Sequence, residues 1–237
     1  MMADVLDISH HNDVTDWGVV KASGIVGIIH KASEGSNYVD PTYAPRRIEA
    51  ARAGLLWGAY HFMRPGDQKQ HAEWFIKCAD PKFDDLICAD YEDDSMTLDD
   101  LQAFLAAVYK LTKRHAVIYS GHLIKEQVGN KSLPGLAEHP LWIAQYTSAS
   151  QPEWPKETWP EYFLWQYTDD GNAPGVTGNV DCNHSPLNEK ELRAAWNGSS
   201  HPSMPAIPMP GPDVEHVVIV TITAPPGIHV KVNHVVA

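Results

Sequence analysis

Leu86-Ile87-Cys88-Ala89-Asp90-Tyr91-Glu92 is the stretch whose reading decides the fold. An apolar run ends on two carboxylates one residue apart. A short apolar run of this kind reads as a strand buried on both faces of a parallel sheet. Along a strand, residues i and i+2 share a face about 6.6 Å apart. Asp90 and Glu92 therefore point the same way, with Cys88 beneath them. In a parallel barrel the C-terminal strand ends form the active face. The plainer alternative is a strand running into an acidic loop, since Asp93 and Asp94 follow.

Working outward, similar apolar runs recur along the chain. Upstream lie Val5 to Ser9, Ile25 to Lys31 and Leu56 to Met63. Downstream lie Ala116 to Ser120, Leu141 to Tyr146, Tyr162 to Thr168 and Asn179 to Asn183. That makes about eight strands of short, buried length. Helical patterns separate the early ones: Pro41 to Ala53, Gln68 to Ala79 and Leu98 to Arg114. In the last, Thr97 can cap the start, and Leu98, Leu101, Leu105 and Val108 form one buried face. Lys110, Lys113 and Arg114 complement its C-terminal end. Beyond Tyr146 the connections change. Pro152, Pro155 and Pro160 bar a helix, and Asp169 to Gly178 is turn-rich. Leu187 to Trp196 reads as a closing helix. Strands alternating with helices, then bare strands, predict an α/β chain closed into an irregular β/α barrel over residues 1–197.

The remainder reads differently. Residues 198–212 form a Pro-rich linker. In the 213–237 appendage, Val217 to Thr223 and Ile228 to Val236 flank Ala224-Pro225-Pro226-Gly227, a predicted β-hairpin tail. An isolated hairpin is marginal in water and needs a partner. With one Lys and no Trp, Tyr or Phe, it suits self-association or packing on the barrel.

Composition removes several function classes. The 237 residues include 30 acidic and 18 basic ones, a formal charge of −12, against nucleic-acid binding. No run reaches the roughly 18 apolar residues of a membrane span, so no membrane insertion is expected. Met1 to Asp7 shows no basic start and no apolar h-region, so a signal peptide is not expected. The 3 cysteines read as reduced thiols of a cytoplasmically made chain. The 13 histidines include no HExxH and no paired Cys-x-x-Cys, so neither a metal nor another cofactor is expected. No G-x-S-x-G elbow or Gly-rich phosphate loop is present.

Three further acids stand at strand ends. Asp7 closes Val5-Leu6-Asp7, Glu34 closes His30-Lys31-Ala32-Ser33-Glu34, and Asp181 sits in Val180-Asp181-Cys182-Asn183. One such acid can be a helix cap or a surface group. Several converging on one barrel mouth form a site, and neighbouring carboxylates there raise one another's pKa. A proton held near neutrality is what acid-catalysed glycoside cleavage needs. Tyr60, Phe62, Tyr119, Trp142, Tyr146, Trp165, Gln166 and Tyr167 fall at the same ends. Flat aromatic faces with polar tips suit sugar rings, although such residues are as readily core.

The stretches VLDISHHN, GIVGIIHKASEG, GLLWGAYHF, LICADYE, HAVIYSGH, PLWIAQYT, FLWQYTDDG and NVDCN, taken in order over residues 4–197, resemble the family-25 glycoside hydrolases. These are muramidase-type lysozymes common among phage endolysins. The resemblance implies five βα units plus three further strands. It implies cleavage of the β-1,4 bond between N-acetylmuramic acid and N-acetylglucosamine in peptidoglycan. Glu92 then matches the general acid and Asp90 its partner. Asp7 and Asp181 match the acids of the first and last strands, and Glu34 that of the K-A-[ST]-E-G stretch. One departure is that Val5-Leu6 stands where the family usually has Gly before the apolar residue. The family's context implies an enzyme accumulating in the cytoplasm of the producing cell and reaching the wall after release. The competing expectations are a non-catalytic glycan-binding barrel and a chitinase-like enzyme. Against the second, no fuller D-x-x-D-x-D-x-E run surrounds Asp90.

Overall fold

A computed structural model describes residues 5–197. The expected linker at 198–212 and hairpin at 213–237 lie outside the described residues. In chain order the elements begin with β1 (Val5–Ile8), β2 (Asp13–Val14), α1 (Trp17–Ala22), β3 (Gly27–Glu34), β4 (Tyr38–Val39) and α2 (Tyr43–Arg52). Next come β5 (Leu56–Phe62), α3 (Gln68–Ala79), β6 (Leu86–Asp90), α4 (Leu98–Thr112), β7 (Val117–Ser120), α5 (His122–Val128) and α6 (Pro134–Ala137). The chain continues through β8 (Leu141–Ala144), β9 (Leu164–Gly171), β10 (Val176–Thr177), β11 (Val180–His184) and α7 (Glu189–Ala195).

The large sheet runs β1-β11-β9-β8-β7-β6-β5-β3, and β3 pairs back onto β1, closing an eight-stranded barrel. β4 adds to β3 as an antiparallel extra strand. From β3 through β5, β6, β7 and β8 to β9 every pairing is parallel, as is β1 with β3. β11 alone runs antiparallel to both neighbours. Helices follow β1, β3, β5, β6 and β7, and none follows β8 or β9 before the next strand, so the five-unit, three-strand reading matches the fold.

Strand alternation divides the core in two. Leu6, Ile8, Ile28, Trp57, Ala59, Ile87 and Ile118 face outward beneath the helices. Val5, Ile29, Leu86, Cys88, Val117, Trp142 and Leu164 fill the barrel interior. Leu192, Ala195 and Trp196, from α7 and the residue after it, join that inner cluster and close the N-terminal end. There Gly27 is a packing requirement: a Cβ would sit 2.8 Å from the Trp196 ring. α4 starts as its sequence implies, with a Thr97–Asp100 capping box, and ends at Thr112 with Lys113 in the left-handed region at φ 59°. Arg114 does not serve that helix end. Its guanidinium donates to the carbonyls of Lys82, Asp85 and Asn197.

A further expectation changes. The segment Asp169 to Gly178 is not all turn: β9 continues to Gly171, and β10 pairs with β2. A register shift in β3 between Lys31 and Ser33 sets Lys31 beside Tyr60 and Glu34 beside Phe62. This bulge adds a residue, so Lys31 and Glu34 come to the same face. The three cysteines are free thiols. Among the described residues no helix is long and apolar enough to cross a membrane.

Candidate active site

At the C-terminal ends of the parallel strands an open pocket of about 410 Å³ is lined by Asp7, Tyr60, Phe62, Asp90, Glu92, Tyr119, Trp142 and Asp181. Strand geometry brings them together. Asp7 is on β1, Tyr60 and Phe62 on β5, Asp90 at the end of β6, Tyr119 on β7 and Trp142 on β8. Glu92 stands two residues past Asp90, beyond the strand. Asp181 reaches the mouth for a different reason than expected. It is near the start of β11, not its end, and arrives there because that strand runs antiparallel, directly beside Asp7.

Asp7 and Asp181 share a polar network. Asn183 Nδ2 donates to Asp7 Oδ2 at 2.8 Å, and Gln166 Nε2 donates to the same oxygen at 3.0 Å. Gln166 Nε2 also lies 3.4 Å from Asp181 Oδ2. Its Oε1 accepts from the hydroxyls of Tyr119 at 2.9 Å and Tyr146 at 2.8 Å. Asn183 Oδ1 accepts from Trp142 Nε1 at 2.7 Å. Burial raises the Asp7 pKa despite the hydrogen bonds from Asn183 and Gln166. Burial, then the charge of Asp7, pushes Asp181 up to about 9. Asp181 therefore keeps a proton and donates it to Asp7.

Asp90 is 5% exposed, and its Oδ1 has no hydrogen-bond partner. Burial and then repulsion by Glu92 raise its pKa well above the usual range, with Lys31 opposing. Glu92 stays open to solvent at the residue level, yet the surrounding protein still desolvates its carboxyl. That desolvation, then Asp7, raises its pKa, while Lys31, His122 and Arg64 pull it down. Burial thus raises the pKa of both Asp90 and Glu92, with Glu92 adding to the first and Asp7 to the second. One carboxyl is open to the pocket and the other lies deep with an unmatched oxygen. That arrangement suits donation of a proton to a glycosidic oxygen.

The profile of the glycosyl hydrolases family 25 matches residues 6–176. Lysozyme M1 of Streptomyces globisporus is 28% identical over 213 residues, 82% of this chain and 71% of that protein. The autolytic lysozyme of Clostridium acetobutylicum is 31% identical over 181 residues, 74% of this chain and 53% of that protein. The bacterial lysozyme from Streptomyces coelicolor matches with a TM-score of 0.74 at 28% identity, over 82% of this chain and 97% of that one. This chain belongs to glycosyl hydrolase family 25. It is a glycosidase, and its pocket acids lie on the barrel that its family relatives share.

Within this family-25 barrel the sequence candidates divide. Asp7, Asp90, Glu92, Asp181, Tyr60, Phe62, Tyr119 and Trp142 meet at the pocket. Gln166 lies just behind it, holding Asp7. Tyr146, 53% exposed, stands at the rim with its hydroxyl on Gln166. Glu34 is beside the pocket, not in its wall, and is paired to Lys31 at 2.6 Å and Arg64 at 2.8 Å. Burial alone would raise the Glu34 pKa, but those two cations outweigh it and hold the pKa low. Trp165 and Tyr167 must be corrected. Alternation along β9 turns Gln166 inward, so Trp165 and Tyr167 face the outer layer. Trp165 is 2% exposed and donates to Gln145 O at 2.8 Å.

Three positions carried no reading of their own. Asn183 holds Asp7, and its i+2 spacing from Asp181 was the available signal. Lys31 is a cation of 13% side-chain exposure beside the acids, hidden in sequence by the bulge. Arg64 had no sequence signal. Among the described residues no three His, Cys, Asp or Glu side chains gather to hold a metal ion.

Proposed function

We propose that this glycosidase cleaves the β-1,4 bond between N-acetylmuramic acid and N-acetylglucosamine in peptidoglycan, with Glu92 as general acid. The observation that carries this reading is the Asp90–Glu92 pair at the pocket, one carboxyl deep and one open to it. Tyr60, Phe62 and Trp142 supply apolar surface for the sugar rings. A substrate's 2-acetamido N–H can meet the unmatched Asp90 Oδ1. Such a bond favours the Asp90 anion, and Glu92, its pKa raised by burial, is the proton donor. Glu92 then protonates the leaving oxygen as the C1–O bond breaks.

Both carboxyls approach from one side, whereas a nucleophile attacks opposite the leaving group. That geometry favours the acetamido oxygen as nucleophile, forming the bond to C1 while Asp90 holds its N–H. Water then adds at C1 from the leaving-group side as the C1–acetamido oxygen bond breaks, and Glu92 takes its proton, restoring the acetamide and retaining the anomeric configuration. The Asp7–Asp181 pair sets the charge behind the sugar. Glycan lacking the acetyl group should be cut far more slowly.

A non-catalytic glycan-binding barrel has no use for four buried or crowded acids. Glu92→Gln separates the two readings. It keeps the side-chain size and removes the proton donor, so lysis of exposed walls should fall by about 10²- to 10⁴-fold. Unchanged lysis would remove Glu92 from the acid role. Cleavage of chitin in preference to peptidoglycan would favour the chitinase-like alternative. The finer reading, an endolysin acting after release from the producing cell, rests on the sequence resemblance. Under it, expression alone leaves a Gram-negative host intact, and lysis follows a membrane permeabiliser.

A further inference from the structure

Glu92 lies past the end of β6, so no strand pairing fixes it, and no described residue hydrogen-bonds its carboxyl. Its position depends on its two neighbours. On one side, buried Tyr91 donates its N–H to Tyr119 O at 2.8 Å and its hydroxyl to Gln127 Oε1 at 2.7 Å. On the other, Asp93 Oδ2 accepts from an Arg64 terminal nitrogen at 3.0 Å. Arg64 also grips Glu34 Oε1, through Nε at 2.9 Å and the other terminal nitrogen at 2.8 Å. Glu34 in turn holds Lys31 Nζ at 2.6 Å. The chain of charges is Lys31⁺, Glu34⁻, Arg64⁺, Asp93⁻, and it crosses from β3 over the β5 end to the segment after β6. Between its two cations lies the pocket residue Phe62, with Lys31 Nζ 4.9 Å and the Arg64 guanidinium 4.4 Å from its ring centroid.

We infer that Arg64 is a positioning residue for the reaction, clamping Asp93 so that the adjacent Glu92 and the sugar platform Phe62 hold a fixed relation. The inference rests on Glu92 being the acid. The planar guanidinium can bridge a carboxylate on β3 and one on the segment after β6, which a lysine point charge does less well. Glu34 is then the middle of the clamp rather than a sugar ligand. Exposed ion pairs contribute little to stability, and Arg64 is 46% exposed. The clamp's effect is therefore sought in rate, not in folding.

The charge chain also gives a pH signature. Asp7, Asp90 and Asp181 face Glu92 from β1, β6 and β11. Lys31 and His122 face it from β3 and α5, and the phenols Tyr119 and Tyr146 from β7 and past β8. None of these residues is itself substituted when Arg64 or Asp93 is changed. Removing Arg64 takes a cation from Glu92, so the acid stays protonated to higher pH. Removing the Asp93 charge leaves Arg64 paired to Glu34 alone, so less of its charge is offset near Glu92, which acts in the opposite sense.

The test uses the full chain and soluble peptidoglycan fragments, with melting temperature as the folding check. Arg64→Met and Asp93→Asn should each lower kcat by about 10- to 100-fold, with KM changed much less. The alkaline limb of the kcat profile should move up in R64M and down in D93N. The double variant should lose no more kcat than the worse single one, because both break one link. Wild-type kcat and an unmoved limb in R64M, alongside an inactive E92Q, would overturn the clamp and leave the general-acid reading standing. Losses that multiply in the double variant would also overturn it. An active E92Q would instead overturn the general-acid reading, and the clamp with it.

Discussion

Asp181 shows at the scale of one residue what the site costs the fold. Its pKa is raised from 3.8 to about 9, so the folded chain holds a proton that the unfolded chain releases above pH 4. A raised pKa means that the native state binds more protons, and stability declines as pH rises through that window. Its contribution is fully present below pH 3.8 and lost towards pH 9. Asp181→Asn keeps a donor for Asp7 without the ionisation. Its melting temperature should match the wild type at pH 4 and exceed it at pH 8, by roughly 2–4 °C per kcal/mol relieved. Equal melting temperatures at both pH values would show that Asp181 is not proton-linked to folding. The acids were legible in the sequence because each interrupts an apolar strand. Lys31 was not, because the bulge that turns it towards Glu34 leaves no mark on composition. Trp165 was misplaced because an aromatic at strand spacing reads the same on either face. Only the inward turn of Gln166 decides which.

Among the elements, α7 shows how the barrel is closed at the end opposite the site. The Trp196 that follows it is buried against Gly27, and its Nε1 donates to Trp57 O at 2.7 Å. Trp196→Ala should lower stability by about 3–5 kcal/mol. Below its melting point it should keep its kcat, since the pocket lies at the far end. A kcat loss with unchanged melting temperature would contradict this division of labour. Gln68 to Ala79 was legible to the residue, because Asp67 caps it and its apolar positions keep helical spacing. The helices α1, α5 and α6 were not, being 6, 7 and 4 residues long, too short for a periodic pattern to emerge. β11 was legible as a strand but not in direction. Its reversal follows from a short connection across β10, which the turn-rich composition concealed.

For the molecule as a whole, the residues that line the pocket all fall between Asp7 and Asp181. We expect a chain shortened after Asn197 to cleave soluble fragments at the full-length rate. A folded but inactive truncation would contradict that. The sequence shows no metal-ligand motif, so we expect EDTA to leave the rate unchanged. A loss restored by one specific ion would point to a metal-dependent reaction. The central claim concerns which bond is cut. Its most direct test is mass spectrometry of digested sacculi, with borohydride reduction marking the new reducing ends. The account predicts reduced N-acetylmuramic acid at every new end. Reduced N-acetylglucosamine there would contradict it.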